Sequence, residues 1–427
     1  MDVVERCAQL IRFDTTNRGG GDSEGEREAA EFVAAQLAAA GVEPTLLERK
    51  PRRTNVIARV EGADSTLPPV LVQAHLDVVP AQAADWDVDP FAGEIRDGYL
   101  WGRGAVDMKD MVAELLTVVT DWHVTGRKPR RDVVLAFVAD EEDAGDYGAH
   151  WLVSEHPHLF ADCAAAIGES GGHTHRVDGI HFYPVGTAER GSSHLRLTAR
   201  GRAGHGSRRN DENAVIRLVQ AVQRLAEHRW PVRLIPSVQA YIEQVGAALG
   251  VQVDLSDVDG TVARLGGAAS LVESTIRNST TPTALNAGYK VNVIPSSAEA
   301  LIDTRVLPGG EEELLATVDE LIGPHVRREV LNPQPGVQAP VDSPWFDAIA
   351  DALRWADPAA VVVPYCLGGG TDAKAFARLG IPGYGFTPLW VPEGFDYRAM
   401  AHGVNERVPV EGLHFGVKVL DRFLTMC

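Results

Sequence analysis

Residues 70–77 read Val70-Leu-Val-Gln-Ala-His75-Leu-Asp77, a mostly apolar run that ends in a histidine and an aspartate. Similar apolar runs occupy Val133–Ala139 and Ala164–Ile167. Runs that are apolar on both faces are typical of central strands in a parallel sheet that helices cover on both sides. Apolar residues recur at helical spacing in Gly25–Ala40 and Met111–Thr120. The first part of the chain is therefore predicted to be α/β, with a mostly parallel central sheet.

Each of the three predicted strands is followed by residues that can bind metal ions. In chain order, these residues are His75 and Asp77, then Glu141 and Glu142, then Glu169. The carboxyl ends of parallel strands meet at one edge of a sheet, so these side chains are expected to converge. A cluster of carboxylates repels itself unless cations hold it together. The pattern therefore predicts a metal centre.

The spacing of these residues suggests how their roles divide. His75 and Asp77 are two positions apart, so a regular strand cannot direct both at one metal, and we expect a ligand and a partner that orients it. In the pair Glu141-Glu142, one carboxylate can bind metal while the other stays free as a base. Asp107, in a glycine-rich stretch, is a fourth candidate carboxylate. Taken singly, these acids are more typical of helix caps or solvated turns, so the prediction depends on the joint pattern.

From about residue 188 the pattern becomes that of a separate α+β module. The element order β-α-β-β-α-β indicates a two-layer, ferredoxin-like inserted domain. Its segments are Ser193–Arg200, Asn213–Glu227, Tyr289–Ile294, Glu299–Leu307, Glu311–Ile322 and Val326–Leu331. Residues 230–287 are an insertion that we expect to be helical. We predict a catalytic domain of residues 1–187 and 335–427, interrupted by a lid and dimerisation domain of residues 188–334.

The composition narrows the classes of function. The chain has 427 residues and a formal net charge of −19, which argues against nucleic acid and against an anionic membrane surface as partners. No apolar run approaches the roughly 20 residues that cross a bilayer. The four cysteines are scattered, which is typical of a reducing cytoplasm and excludes both a disulfide framework and a thiolate zinc site. Any metal ligands are therefore expected to be His, Asp and Glu.

Together the motifs resemble those of the M20 family of metallopeptidases and amidohydrolases. The matching segments are His75-Leu-Asp77, Gly102-Arg-Gly-Ala-Val-Asp107, Asp140-Glu141-Glu142, Gly168-Glu169-Ser170 and Ala401-His402-Gly403-Val404-Asn405-Glu406. They occur in the family's order and extend over nearly the whole chain. The family includes carboxypeptidases, dipeptidases, aminoacylases and succinyl-diaminopimelate desuccinylase. The resemblance therefore implies a hydrolase that cleaves an amide or peptide bond in a small, carboxylate-bearing peptide or N-acyl amino acid.

The resemblance also implies two Zn²⁺ ions per subunit, for which Co²⁺ or Mn²⁺ could substitute. It makes Asp107 the ligand that both ions share. The other ligands would be His75 and Glu169 at one ion, and Glu142 and His402 at the other. Asp77 would orient His75. A hydroxide bridging the metals would attack the carbonyl carbon, with Glu141 as the general base.

Further residues are implied in substrate binding. In the family's lid, a histidine that matches His205 helps to hold the oxyanion in the neighbouring subunit, so a homodimer through the inserted domain is expected. Arg305 and Asn292 match a substrate-anchoring segment, and a guanidinium pairs bidentately with a carboxylate. Without the family, Arg305 could equally form a surface salt bridge. The stretch Gly369-Gly370-Thr371 resembles a substrate loop.

Two other functions remain open from the sequence. Ser170 lies in a GxSxG pattern after a predicted strand, with Asp372 and His402 following in the order of a serine hydrolase, but this leaves the other acids unexplained. A non-catalytic binding relative is the second alternative, although such proteins would be expected to lose ligands or the base. His173 and His175 could form an extra metal site, but an exposed loop is the stronger expectation.

Overall fold

The computed structural model describes all residues, 1–427. The chain divides into two compact units. Unit 1 comprises Met1–Thr187, Ala339–Pro364 and Thr371–Cys427, and unit 2 comprises Ala188–Gln338 and Tyr365–Gly370. Each unit has a hydrophobic core of its own. None of the helices has the length and apolar character needed to cross a membrane.

Twelve α-helices are present. They are α1 (Val3–Arg12), α2 (Arg27–Ala39), α3 (Lys109–Thr125), α4 (Ala149–Glu155), α5 (Ala214–Glu227), α6 (Pro236–Leu249), α7 (Val258–Arg264), α8 (Glu311–Ile322), α9 (Pro344–Ala356), α10 (Ala373–Ala377), α11 (Tyr397–Met400) and α12 (Val410–Met426). The predicted helices of the first part of the chain are therefore found as α2 and α3, and those of the inserted module as α5 and α8. Helix α1 was not anticipated.

The strands number nineteen. They are β1 (Pro44–Glu48), β2 (Thr54–Val60), β3 (Val70–His75), β4 (Glu94–Arg96), β5 (Tyr99–Trp101), β6 (Val133–Val138), β7 (Ala165–Gly168), β8 (His175–Val177), β9 (Ile180–Glu189), β10 (Gly191–Arg200), β11 (Gly204–His205), β12 (Ser279–Ala287), β13 (Val293–Ile294), β14 (Ser297–Val306), β15 (Val326–Gln334), β16 (Val337–Gln338), β17 (Ala360–Leu367), β18 (Gly383–Gly385) and β19 (Arg407–Pro409).

The centre of the unit 1 sheet is parallel, as predicted. Strand β3 pairs in parallel with β6 on one side and with β7 on the other, and β7 pairs in parallel with β18. Antiparallel strands flank this centre, since β2 pairs with β6 and β9 with β18. Every residue of β3 and β6 is buried. The α/β class is confirmed, with a mixed but mostly parallel central sheet.

Helices cover both faces of this sheet, which explains why its strands are apolar throughout. In β3, Val70 and Val72 face the core built by α1, α2, α3 and α12, whereas Leu71 faces a second core with α4 and α10. Side chains alternate between the two faces of a strand, so both sets must be apolar. Because β3, β6 and β7 run in the same direction, their carboxyl ends, where the candidate ligands follow, meet at one sheet edge.

Unit 2 contains a four-stranded antiparallel sheet in the order β12-β14-β10-β15, with α5 and α8 packed in its core. The predicted β-α-β-β-α-β order is found, but the strand predicted at Tyr289–Ile294 is wrong as a member of this sheet: only Val293–Ile294 (β13) forms a strand, and it pairs with β11. The second strand of this order is β12, whereas Tyr289 and Val291 lie outside the sheet and are exposed. Strand β12 lies at the sheet edge with mostly exposed side chains, so its sequence lacks buried alternation. The insertion is thus helical only in part, at α6 and α7.

Candidate metal centre

Two groups of three possible ligands lie side by side in unit 1. The first group is His75, Asp107 and Glu169, and the second is Asp107, Glu142 and His402. In each group the ligand atoms all lie within 4.8 Å of one another. Asp107 belongs to both, because its Oδ1 is 3.0 Å from His75 Nε2 and its Oδ2 is 3.2 Å from His402 Nε2. One carboxylate therefore lies between two imidazoles, with a further carboxylate beside each.

His75 is completely buried at the end of β3, and its ring orientation is fixed by the main chain. Its Nδ1 is 2.9 Å from the carbonyl oxygen of Asp77, whereas the carboxylate of Asp77 is 3.7 Å away. A carbonyl can only accept, so Nδ1 carries the proton and Nε2 points at Asp107. The contact between Asp77 and His75 is therefore made by the backbone carbonyl of Asp77, whereas the prediction assigned it to the side chain.

The carboxylate of Asp77 has a different task. It accepts hydrogen bonds from the backbone N–H groups of Glu141, at 3.1 Å, and Glu142, at 3.2 Å. It also accepts one from Asn17 Nδ2, at 2.9 Å. Asp77 and Asn17 are both buried. The side chain of Asp77 therefore holds the turn that carries both glutamates after β6.

A buried polar array, which the sequence did not predict, supports this turn from behind. Asn17 Nδ2 also lies 3.0 Å from Asp140, and Arg53 Nη2 donates to Asp140 at 2.8 Å. Arg53 Nε in turn donates to both oxygens of Glu26, at 3.1 and 3.0 Å. Asp140 has a left-handed φ of +68°, a conformation that bends the chain directly after the strand. Asp140 lies in the Asp140-Glu141-Glu142 motif, but no local motif marks Asn17, Glu26 or Arg53, because these residues are dispersed along the chain.

Crowding and burial shift the protonation of the candidate ligands. Burial, and then the neighbouring Glu169, raise the pKa of Glu141 well above its usual range. Burial likewise raises the pKa of Glu142, and its Oε1 has no hydrogen-bond partner. Hydrogen bonds to Asp107 and Glu142 raise the pKa of His402 to about 10. Bound cations would offset the repulsion between these buried carboxylates and would give the unpartnered oxygen of Glu142 a partner. The set of nitrogen and oxygen donors therefore fits metal ions.

The substrate residues predicted from the resemblance belong to different parts of the chain. His205 is exposed on β11 in unit 2, where Ser207 N–H donates to its Nδ1 at 3.2 Å. Arg305, also in unit 2, donates to the carboxylate of Asp303 through Nε, at 2.7 Å, and Nη2, at 3.1 Å. Asn292 and the pair Gly369-Gly370 belong to unit 2 as well, whereas Thr371 is buried in unit 1.

The histidines of the alternative interpretations are also accounted for. His402 Nε2, which a serine triad would need as its base, lies 3.2 Å from Asp107 and 3.0 Å from Glu142, so it faces carboxylates. The expectation that His173 lies in an exposed loop is wrong. It is buried and stacks on Tyr397 with ring centroids 4.0 Å apart, and burial lowers its pKa to about 3.

The sequence matches a known family over most of its length. A model of peptidase family M20/M25/M40 matches residues 71–426. The N-fatty-acyl-amino acid synthase/hydrolase PM20D1 of Xenopus tropicalis is 30% identical over 376 residues, which cover 84% of this chain and 72% of the relative.

Solved structures resemble the whole chain. An M20 family metallo-carboxypeptidase from Sulfolobus solfataricus superposes with a TM-score of 0.74 at 17% identity, covering 100% of this chain and 99% of that one. The YXEP protein of Bacillus subtilis, described as a dinuclear metal binding peptidase of the M20 family, superposes with a TM-score of 0.63 at 15% identity, covering 99% and 96%. At these identities the likeness shows the fold.

Proposed function

The chain belongs to peptidase family M20/M25/M40 and is a hydrolase of the M20 metallopeptidase and amidohydrolase type, and we propose that it uses two zinc ions to cleave an amide bond in a small, carboxylate-bearing substrate. The observation that carries this proposal is the carboxylate of Asp107, whose two oxygens face two different imidazoles. A shared carboxylate of this kind suits a pair of neighbouring ions. The YXEP protein, with the same fold, is described as dinuclear, which supports the proposal.

In this proposal each of the two groups of three ligands holds one ion. His75, Asp107 and Glu169 would bind one, and Asp107, Glu142 and His402 the other. When bound, two zinc ions would polarise the scissile carbonyl and lower the pKa of the attacking water. The backbone carbonyl of Asp77 supports this role, because it keeps the proton on His75 Nδ1 and leaves the Nε2 lone pair for a metal.

Glu141 is the proposed general base. It lies in the turn that Asp77 holds, next to the ligand Glu142. Burial and the nearby Glu169 raise its pKa well above the usual range, which suits a carboxylate that takes a proton from the attacking water and returns it to the leaving amine. Asp372 adds further negative potential at Glu141. The bidentate pair of Arg305 with Asp303 fixes the guanidinium that would bind the substrate carboxylate.

The proposed substrates are N-acyl amino acids, dipeptides or peptides with a free carboxyl terminus. The relative from Xenopus tropicalis is named for N-fatty-acyl amino acids, which supports the first class. His205, Asn292, Gly369, Gly370 and Thr371 are the proposed additional substrate contacts, and His205 would stabilise the oxyanion. A panel of N-acyl amino acids and dipeptides would rank these classes by kcat/KM.

We further propose a homodimer formed through unit 2. Edge strand β12 and the residues after it expose apolar side chains, with Leu285 62% exposed, Tyr289 84% and Val291 fully exposed. An exposed edge strand with apolar side chains is suited to pair with a second copy. Light scattering should give a mass of twice 46.0 kDa. Leu285→Glu should favour the monomer, while Leu255→Glu, elsewhere in unit 2, should not; a wild-type monomer would contradict the dimer.

The state of the cysteines supports a proposal for the cellular compartment. All four are free thiols in the structure, and all are buried. Free thiols without disulfides are typical of a reducing compartment, which supports a cytoplasmic location.

Metal analysis together with two variants tests the proposed function. The purified protein should contain two zinc ions per chain, lose activity with a chelator and regain it with zinc. Glu141→Gln should lower kcat by about 10²–10⁴-fold while zinc content stays unchanged. Ser170→Ala should remain active, since the serine would not be the nucleophile. Chelator-resistant activity that disappears in Ser170→Ala would instead support the serine hydrolase.

A further inference from the structure

The ligands of the two groups lie on different kinds of structural element. His75 is the last residue of β3, and Glu142 and Glu169 follow β6 and β7 of the central sheet. His402, by contrast, lies in an irregular loop after α11, and its side chain is 56% exposed. Its backbone has a left-handed φ of +60°, which is uncommon for a histidine. Some other contact must therefore keep this loop at the correct distance from Asp107.

A buried ion pair supplies that contact. Glu406 Oε2 accepts from Arg103 Nη1 at 2.6 Å, and the two residues are 303 positions apart in the chain. Glu406 is fully buried and Arg103 is 3% exposed. The Arg103 guanidinium lies over the ring of Trp86, 5.3 Å from its centroid. We call Arg103 and Glu406 together the clamp.

Each side of the clamp also binds the main chain beside a candidate ligand. Glu406 Oε1 accepts from the N–H of Val106, the residue before Asp107, at 2.8 Å. Arg103 Nη2 lies 3.4 Å from the carbonyl oxygen of His402. The carbonyl of Glu406 also accepts from the N–H of Gly102 at 3.0 Å. The ion pair thus joins the loop that carries Asp107 to the loop that carries His402.

We propose that Arg103 and Glu406 are positioning residues that set the Asp107–His402 distance, so that the clamp controls occupancy of the metal position formed by Asp107, Glu142 and His402 without controlling the other position. This inference rests on the proposed two-metal function. The selectivity follows from the architecture: His75 is fixed by β3 and the carbonyl of Asp77, so the clamp reaches that position only through the shared Asp107. The hydrogen bond beside Asp107, from the N–H of Val106, needs only an acceptor oxygen on residue 406 and not its charge. His402 has no comparable support from the sheet.

Zinc titration of the metal-free protein tests the clamp. In Glu406→Gln, an isosteric change, the amide oxygen can still accept from Val106, but the charge that holds Arg103 is lost. We expect the affinity of one zinc ion to fall by about 10–100-fold, while the affinity of the other changes by less than about twofold. Arg103→Lys keeps the charge but cannot reach both Glu406 and the His402 carbonyl, so it should weaken the same ion while the fold is preserved.

A matched control is Asp87→Ala. Asp87 contacts the same loop, through Asn405 Nδ2 at 3.0 Å, but at an exposed position. This variant should leave both zinc affinities close to wild type. Equal weakening of both ions in the clamp variants, or a lowered melting temperature of the metal-free protein with both affinities unchanged, would overturn the inference. Wild-type protein that binds no zinc would instead overturn the proposed function, and the clamp's metal role with it.

Discussion

His75 and His402 would bind neighbouring ions, yet the chain positions them by different means. His75 is 0% exposed at the end of a buried strand, whereas His402 is 56% exposed in a loop. Backbone pairing within the sheet fixes the first, and the ion pair of Arg103 with Glu406 holds the second. The difference indicates that one metal position is part of the fold, while the other depends on a few side-chain contacts.

The largest effect is expected from the residue that the two positions share. Asp107→Ala removes a ligand from both ions, so the protein should lose both, and activity should fall by at least about 10³-fold. Metal analysis and kcat/KM measure this. Asp121→Ala, an exposed acid on α3, is the control and should keep two ions. If Asp107→Ala retained one tightly bound ion, the shared-ligand assignment would be wrong.

Replacing each histidine separately sharpens the comparison. His75→Ala and His402→Ala should each lose one ion, but only His75→Ala should also destabilise the metal-free protein, by about 1–3 kcal/mol, because it leaves a buried polar partner unsatisfied. Urea unfolding of the metal-free variants measures the difference. Equal stabilities would mean that His75 is not more integrated into the fold than His402.

An intermediate effect on catalysis is expected from Asn17, which supports the turn that carries Glu141. Asn17→Asp would place a third carboxylate between Asp77 and Asp140, and the repulsion should displace the turn that carries Glu141. We expect kcat to fall by about 10–100-fold with little change in KM. Asn332→Asp, at an exposed position of β15, is the control. An unchanged kcat in Asn17→Asp would show that the turn holds without the array.

The smallest effect, a change in the pH dependence of stability, is expected from a buried acid that has no basic side chain as its partner. Glu406 is paired with Arg103, whereas Asp110 is fully buried on α3 without an ion-pair partner, and burial raises its pKa to about 8. An unfolded chain releases this proton near pH 4. The free energy of unfolding is therefore not reduced by Asp110 below about pH 4, and it falls as the pH rises towards 8, because the folded protein must then keep or lose a proton that the unfolded chain has already released.

Asp110→Asn should remove this loss. Its melting temperature should exceed that of wild type more at pH 8 than at pH 5, with Asp121→Asn as the control. A difference independent of pH would show that Asp110 does not titrate in this window.

The sequence by itself identified the α/β class and the candidate ligands. Strands apolar on both faces leave a periodicity signal, and ligands at their ends follow in fixed order, so His75, Glu142 and Glu169 were found from local patterns. The resemblance added His402, for which no local pattern exists. The edge strand β12 was missed because its side chains are largely exposed and carry no alternation.

Only the tertiary structure revealed what holds the ligands. Asn17 contacts Asp77 across 60 positions, Arg53 contacts Asp140 across 87, and Arg103 meets Glu406 across 303. The task of the Asp77 carboxylate, binding the glutamate turn, was likewise visible only in three dimensions. The physical reason is that periodicity reports which face of an element is buried, whereas a hydrogen bond between distant polar residues leaves no periodic trace in the sequence.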